Sequence, residues 1–159
     1  GIRSYTEWYM SPLLRPDFVK ELFDRQTEIA IENLRRVNEV CGDKIDVVFT
    51  CAADLSHQHS LFISPEVFRE CYLPYYQRAN NWIHEHTDWK ILKHNCGAVR
   101  PLIPLLIESG FDALNPVQTS ADHMDPQELK DEFGKDISFW GGGVDTQRVL
   151  PFGLSLIHI

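Results

Sequence analysis

What most limits the folds open to this chain is a repeated rhythm of short apolar run, polar loop and helix start. The runs are Ile45–Thr50, Trp89–His94, Phe111–Asn115 and Ile137–Trp140. Each is too short for a helix and lies between turn or helix-start signals, so each reads as a strand. Ile45–Thr50, a short run dominated by β-branched residues, predicts a strand buried on both faces. Between the strands lie helical patterns with clear punctuation. Pro16 opens a long amphipathic segment that Gly42 ends. Ser64-Pro65 marks an N-cap and first helical position, and Pro74 predicts a kink or split in the aromatic helix that follows. A further helix covers Val99 to Ser109 with Gly110 as its cap, and Asp125-Pro-Gln-Glu128 predicts a capping box before a helix ended by Gly134.

Strand followed by helix, with short connections, argues for a parallel sheet with right-handed crossovers. A doubly wound sheet and a (β/α)8 barrel both satisfy this order, and in either one ligands sit at the C-terminal ends of the strands. The suggestive residues fall there. Asp54 follows the first run, His94 and Cys96 the second, Asn115 and Gln118 the third, and Asp145 the fourth.

Composition narrows the function classes. The 159 residues carry a net charge of −8 with no basic block, which argues against a nucleic-acid surface. No apolar run approaches the ~20 residues of a membrane span. Cys41, Cys51, Cys71 and Cys96 lack the spacing of a disulfide framework, as suits a reducing cytoplasm. Only Cys96 has a histidine beside it in a glycine-containing turn; the other three read as small buried hydrophobes.

His94-x-Cys96-Gly97 therefore carries the best prospect of chemistry. An imidazole nitrogen and a thiolate suit zinc, although a catalytic zinc takes three protein ligands and an open position. The same pair is also the pattern of a core histidine near a structural cysteine, and the motif alone does not choose. Gly141-Gly-Gly143 lacks a phosphate-binding spacing and reads first as a tight turn, or else as a close approach to a flat ligand. Asp145 and Gln147 are placed either to meet that ligand or to cap the next helix. His57 and His59 read as solvated loop residues, and His84 and His86 as helix-end residues favoured by the dipole. The aromatic set Phe68, Tyr72, Tyr75, Tyr76 and Trp82 reads as a packing face. Arg100 stands near the candidate site, either to hold a carboxylate or as a surface residue.

Taken in order, Ser64-Pro-Glu-Val-Phe-Arg69, Leu73-Pro-Tyr-Tyr76, Lys93-His-Asn-Cys-Gly97, Arg100-Pro-Leu-Ile-Pro104, Leu114-Asn-Pro-Val-Gln118, Met124-Asp-Pro-Gln-Glu-Leu129 and Phe139-Trp-Gly-Gly-Gly-Val-Asp-Thr-Gln147 carry a resemblance. The chain resembles the uroporphyrinogen decarboxylase superfamily, in particular its branch of zinc-dependent corrinoid methyltransferases, over nearly all of residues 1–153. The resemblance implies an α/β fold, a partial (β/α)8 TIM barrel of about four strand–helix units. Such a barrel needs ~250 residues, so the chain is expected to be an internal-to-C-terminal piece holding about half of one. The apolar stretch at residues 154–159 departs from the family and is expected to be an atypical tail in which His158 has no role.

The resemblance also implies site roles. His94 and Cys96 match zinc ligands, with a third, cysteine ligand expected downstream of this chain. From their own positions along the chain, apart from the resemblance, Asp54 and Asp145 are the candidate catalytic carboxylates, and Asn115, Gln118, Gly142 and Arg100 the candidate substrate-binding residues. The implied reaction moves a methyl group from a methylated corrinoid, on a corrinoid protein or as free cobamide, to a zinc-activated small thiol or to a folate. Where family members often carry two acidic residues, Ala53 leaves Asp54 alone, which weakens any role needing both. The alternatives are a metal-free decarboxylase acting on a uroporphyrinogen-like tetrapyrrole, and an inactive barrel fragment.

Overall fold

A computed structural model describes residues 4–153; the tail expectation for 154–159 lies outside the described residues. Four strands form one sheet in the order β1-β2-β3-β4, every neighbouring pair parallel: β1 is Val47–Cys51, β2 Lys90–His94, β3 Ala113–Asn115 and β4 Ser138–Phe139. Sequential strands lying side by side, each reached through helix, are the winding of a barrel rather than of a doubly wound sheet, whose strand order reverses. The described residues thus form an α/β, partial (β/α)8 barrel arrangement.

The helices form where the local signals place them. α2 runs Pro16–Cys41 with Pro16 in its first turn. Ser64 caps α3, Pro65–Cys71, its side chain accepting from the Val67 amide. The chain breaks at Tyr72 before α4, Leu73–His86, with Pro74 in the first turn, so the proline splits the aromatic helix rather than bending it. A 3-10 turn at Arg100–Leu102 leads into α5, Ile103–Glu108. Asp125 caps α6, Pro126–Phe133, by accepting from the Gln127 and Glu128 amides. The expected reciprocal half of that box is not made, because the Glu128 carboxylate turns to the Arg100 guanidinium instead. One helix lies outside the sequence reading: α1, Tyr5–Leu14, which opens on a Ser4/Glu7 capping box; the short α7, Val149–Phe152, follows Asp145 and Gln147, where a next helix is expected.

The core lies between sheet and helices. Ile91 and Leu114 from the sheet meet Phe68, Ile83, Leu102, Ile103, Leu106 and Leu129 from the helices, all wholly buried. Phe68 stacks on Tyr72 and Tyr76 with ring centroids 5.9 Å away in both cases. Phe68→Ala should therefore lower unfolding stability by about 3–5 kcal/mol, read as a fall in the urea midpoint at unchanged slope. A loss under ~1 kcal/mol would mean this face is not the core.

β1 corrects one expectation. The sequence predicts a strand buried on both faces, yet Val47 and Phe49 are exposed, Phe49 by 54%. The reason is position: β1 pairs with β2 on one side and is the edge of the sheet. A cavity of about 760 Å³ runs along it, walled by Phe23 and Leu34 of α2, Tyr76 of α4, and Phe49, Cys51 and Asp54. The β-branched run is suited to double burial, but a strand is covered only where a neighbour exists. No described helix is long and apolar enough to cross a membrane.

Candidate metal centre at the strand ends

β2 ends on His94, and Cys96 lies two residues on, where the chain leaves the ladder. Asp54 lies three residues past the end of β1. Parallel pairing of β1 with β2 brings these two ends together. One carboxylate oxygen, one imidazole nitrogen and Cys96 Sγ all lie within 4.8 Å of one another. His94 Nε2 is 3.4 Å from Cys96 Sγ and 3.7 Å from Asp54 Oδ1. All three side chains are half-buried, reachable from solvent yet partly walled.

The histidine is held in one orientation. Its Nδ1 lies 2.9 Å from Asn115 Oδ1, while Asn115 Nδ2 donates to the Trp140 carbonyl at 3.0 Å. An amide oxygen only accepts, so Nδ1 carries a hydrogen, and Nε2 is the nitrogen that faces Cys96 and Asp54. A histidine whose outer nitrogen is engaged in this way is the usual arrangement around a bound metal. The edge of the His94 ring meets Phe49, 6.1 Å between centroids.

The loop after β1 is tied to the loop after β2 at several points. Asp54 Oδ1 accepts from the Cys96 amide at 2.8 Å, and the Leu55 amide donates to Asn95 Oδ1 at 2.7 Å. The Tyr9 hydroxyl of α1 donates to the Asp54 carbonyl at 2.8 Å. Gln118 Oε1 accepts from the Gly97 amide at 3.0 Å while its Nε2 donates to Gln58 Oε1 at 2.6 Å. Gly97 is required here, since its φ is +89° and a Cβ would sit 2.5 Å from the His57 carbonyl oxygen. Gln118 is reached through Val117, whose φ of +57° is a strained value for a β-branched residue.

Burial, and secondarily the Asp54 carboxylate, push the Cys96 thiol above its ordinary pKa. Without a cation the thiol keeps its proton near neutrality. The same surroundings suit a cation, because a carboxylate oxygen, an imidazole nitrogen and a sulfur converge there.

The other sequence candidates take different places. Asp145 Oδ1 accepts from the Gln147 and Arg148 amides and so closes the turn that precedes α7. The Gly142 amide donates to the Pro116 carbonyl, and a Cβ on Gly141 would overlap that same oxygen, so the triple glycine packs as a turn against Pro116. Arg100 pairs with Glu128 and Glu132 of α6, which spends its guanidinium on the fold. Exposed His59 pairs with Asp122 at 3.2 Å and His84 with Asp112 at 2.9 Å, neither beside His94. Two features were not anticipated. Asp54 brings a third potential donor to the pair, in addition to the cysteine that the resemblance expects further on. Asn95, wholly enclosed, bridges the two loops through Leu55, Ser56 and the Cys96 carbonyl. Its only sequence signal is its place between His94 and Cys96.

Parallel strands that deliver donor side chains to one rim define a barrel-rim site, the place where (β/α)8 proteins bind their ligands. Over residues 1–150 the chain matches the family model described as Uroporphyrinogen decarboxylase (URO-D). The chain belongs to the uroporphyrinogen decarboxylase family. No curated protein and no solved structure matches it.

Proposed function

We propose that this family member is a zinc-dependent methyltransferase that moves a methyl group from a methylated corrinoid to a thiol or folate acceptor. The observation that carries the reading is the Asp54–His94–Cys96 triad, with Asn115 fixing the tautomer of His94. An oxygen, nitrogen and sulfur donor set suits zinc. Bound there, zinc would supply Lewis-acid activation of a thiol, lowering its pKa so that it is a nucleophile at neutral pH. His94 would present Nε2, Cys96 would ligate as its thiolate, and Asp54 would offer a carboxylate oxygen while it holds the Cys96 amide. The rim beside them, at Asn115 and Gln118, is where acceptor and corrinoid would approach, the latter as free cobamide or on a partner protein. The decarboxylase alternative relies on arginines to hold substrate carboxylates. The His94-x-Cys96-Gly97 motif, which that metal-free chemistry does not need, supports the methyltransferase reading.

The test is zinc content of the intact protein together with demethylation of methylcobalamin by a small thiol. Zinc near one equivalent with zinc-dependent thiol methylation is expected. Absence of zinc, or release of carbon dioxide from uroporphyrinogen, would end the reading. The raised pKa of Cys96 adds a pH dependence. Since the thiol is protonated below that pKa and only the thiolate ligates, binding should release about one proton and tighten about tenfold per pH unit between pH 7 and 8. Calorimetry in buffers of different ionisation enthalpy measures the release; none at pH 7 would remove Cys96 from the ligand set.

A further inference from the structure

We propose that Lys93 is a positioning residue that fixes Asp54 against His94 and Cys96, a role that rests on the metal reading of that triad. Lys93 is the least expected side chain of the interior. It occupies a buried position of β2, alternating with half-buried Leu92 and His94, and is 0% exposed. Lysine is almost never wholly buried without compensation, because its ammonium loses its hydration. Its hydrogen-bond partners here are the Ala53 carbonyl at 2.7 Å, the His94 carbonyl at 2.6 Å and Cys51 Sγ at 3.6 Å, none of them a carboxylate.

The location of those carbonyls gives the ammonium its role. The pairing of β1 with β2 shifts register between Phe49 and Cys51 and reaches no further than Cys51 opposite Lys93. Ala53 and Asp54 therefore lie past the ladder, where no backbone bond between the strands sets their distance from β2. Side chains of β2 and its loop take over. Lys93 Nζ holds the carbonyl before Asp54, and Asn95 Oδ1 holds the amide after it. Through its second bond Lys93 draws on the carbonyl of His94 itself. One ammonium is thus shared by the backbone of two triad residues' segments, and it sets the gap across which Asp54 and His94 face each other. An apolar residue of the same length would fill the space and leave both carbonyls unpartnered.

Cobalt(II) serves as the probe, since its absorption reports thiolate ligation and its titration gives affinity. In the full chain, Lys93→Met should weaken Co(II) binding by about 10–100-fold, as loss of an outer-shell partner does. In an Asp54→Asn background the same change should be within about twofold of no effect, because the carboxylate it positions is gone. Equal losses in the two backgrounds, or unaltered binding by Lys93→Met, would overturn the proposal. A readout independent of metal is hydrogen exchange at the Cys96 amide, which Asp54 Oδ1 accepts from. Lys93→Met should speed that exchange while the Leu114 amide keeps its protection; no change would also overturn the proposal. If the wild-type chain binds neither Co(II) nor zinc, the metal reading fails, and the exchange result alone decides whether Lys93 positions Asp54. Lys93→Gln, which keeps one donor, is the milder variant should the methionine not fold, and an intermediate effect is expected.

Discussion

Replacing His94 with alanine is expected to remove stoichiometric zinc binding, while Asn115→Ala should weaken it about 10–100-fold without abolishing it. The two differ because they act at different depths. His94 supplies the nitrogen that faces Cys96 Sγ at 3.4 Å and Asp54 Oδ1 at 3.7 Å; without it two donors remain, from the ends of separate strands. Asn115 touches none of the other donors. It holds His94 Nδ1, so its loss frees the ring to rotate and to exchange tautomers, and metal binding must then restore the order. Metal analysis after gel filtration, with a competition titration for the weaker variant, separates the outcomes. Full zinc retention by His94→Ala would dismantle the centre. Equal behaviour of the two variants would show that Asn115 does more than orient the ring.

Gly97→Ala should be the most damaging small substitution in the site, costing about 2–5 kcal/mol and displacing the Asp54 loop. Two penalties combine. A residue with a Cβ in the left-handed region costs roughly 1–2 kcal/mol, and overpacking against fixed atoms adds typically 1–3 kcal/mol. The fixed atoms are backbone: the new Cβ would lie 2.5 Å from the His57 oxygen and 2.7 Å from its carbon. That oxygen accepts from the Ala98 amide at 2.9 Å, so retreat also loses a hydrogen bond. Movement of His57 carries the loop that holds Asp54, and metal affinity should fall with stability. Gly143→Ala is the control. A Cβ there meets nothing within 4 Å, and near-neutral stability is expected. Urea denaturation of both variants measures the contrast; comparable stabilities would show that the Gly97 turn can relax.

Local rules made much of the fold readable. Pro65 and Asp125 start helices where their chemistry predicts, because capping and proline geometry depend on a few neighbouring residues. Glu128 shows where such rules stop. Its local role at the N-cap loses to a charge-assisted bond with Arg100, a residue distant in sequence. β1 shows the same limit for burial: Val47, Val48 and Phe49 encode a strand, but their exposure depends on what lies beside them. α1 was missed because its capping box precedes a segment whose apolar spacing is weak.

The sequence by itself determined the alternation of strand and helix, the strand-end position of Asp54, His94, Cys96, Asn115 and Gln118, and the His94-x-Cys96 pair. Those follow from spacing along the chain. The tertiary structure decided which strand ends meet. Parallel pairing of β1 with β2 placed Asp54 beside the pair, while Asp145 went to a turn and Arg100 to a salt bridge. It also placed Lys93, which on the page is one charge in an apolar run, beneath the two carbonyls it joins. The physical reason is that ligation and hydrogen bonding act over a few ångströms in space. Asp54 and Cys96 are 42 positions apart along the chain, and only the sheet brings them into contact.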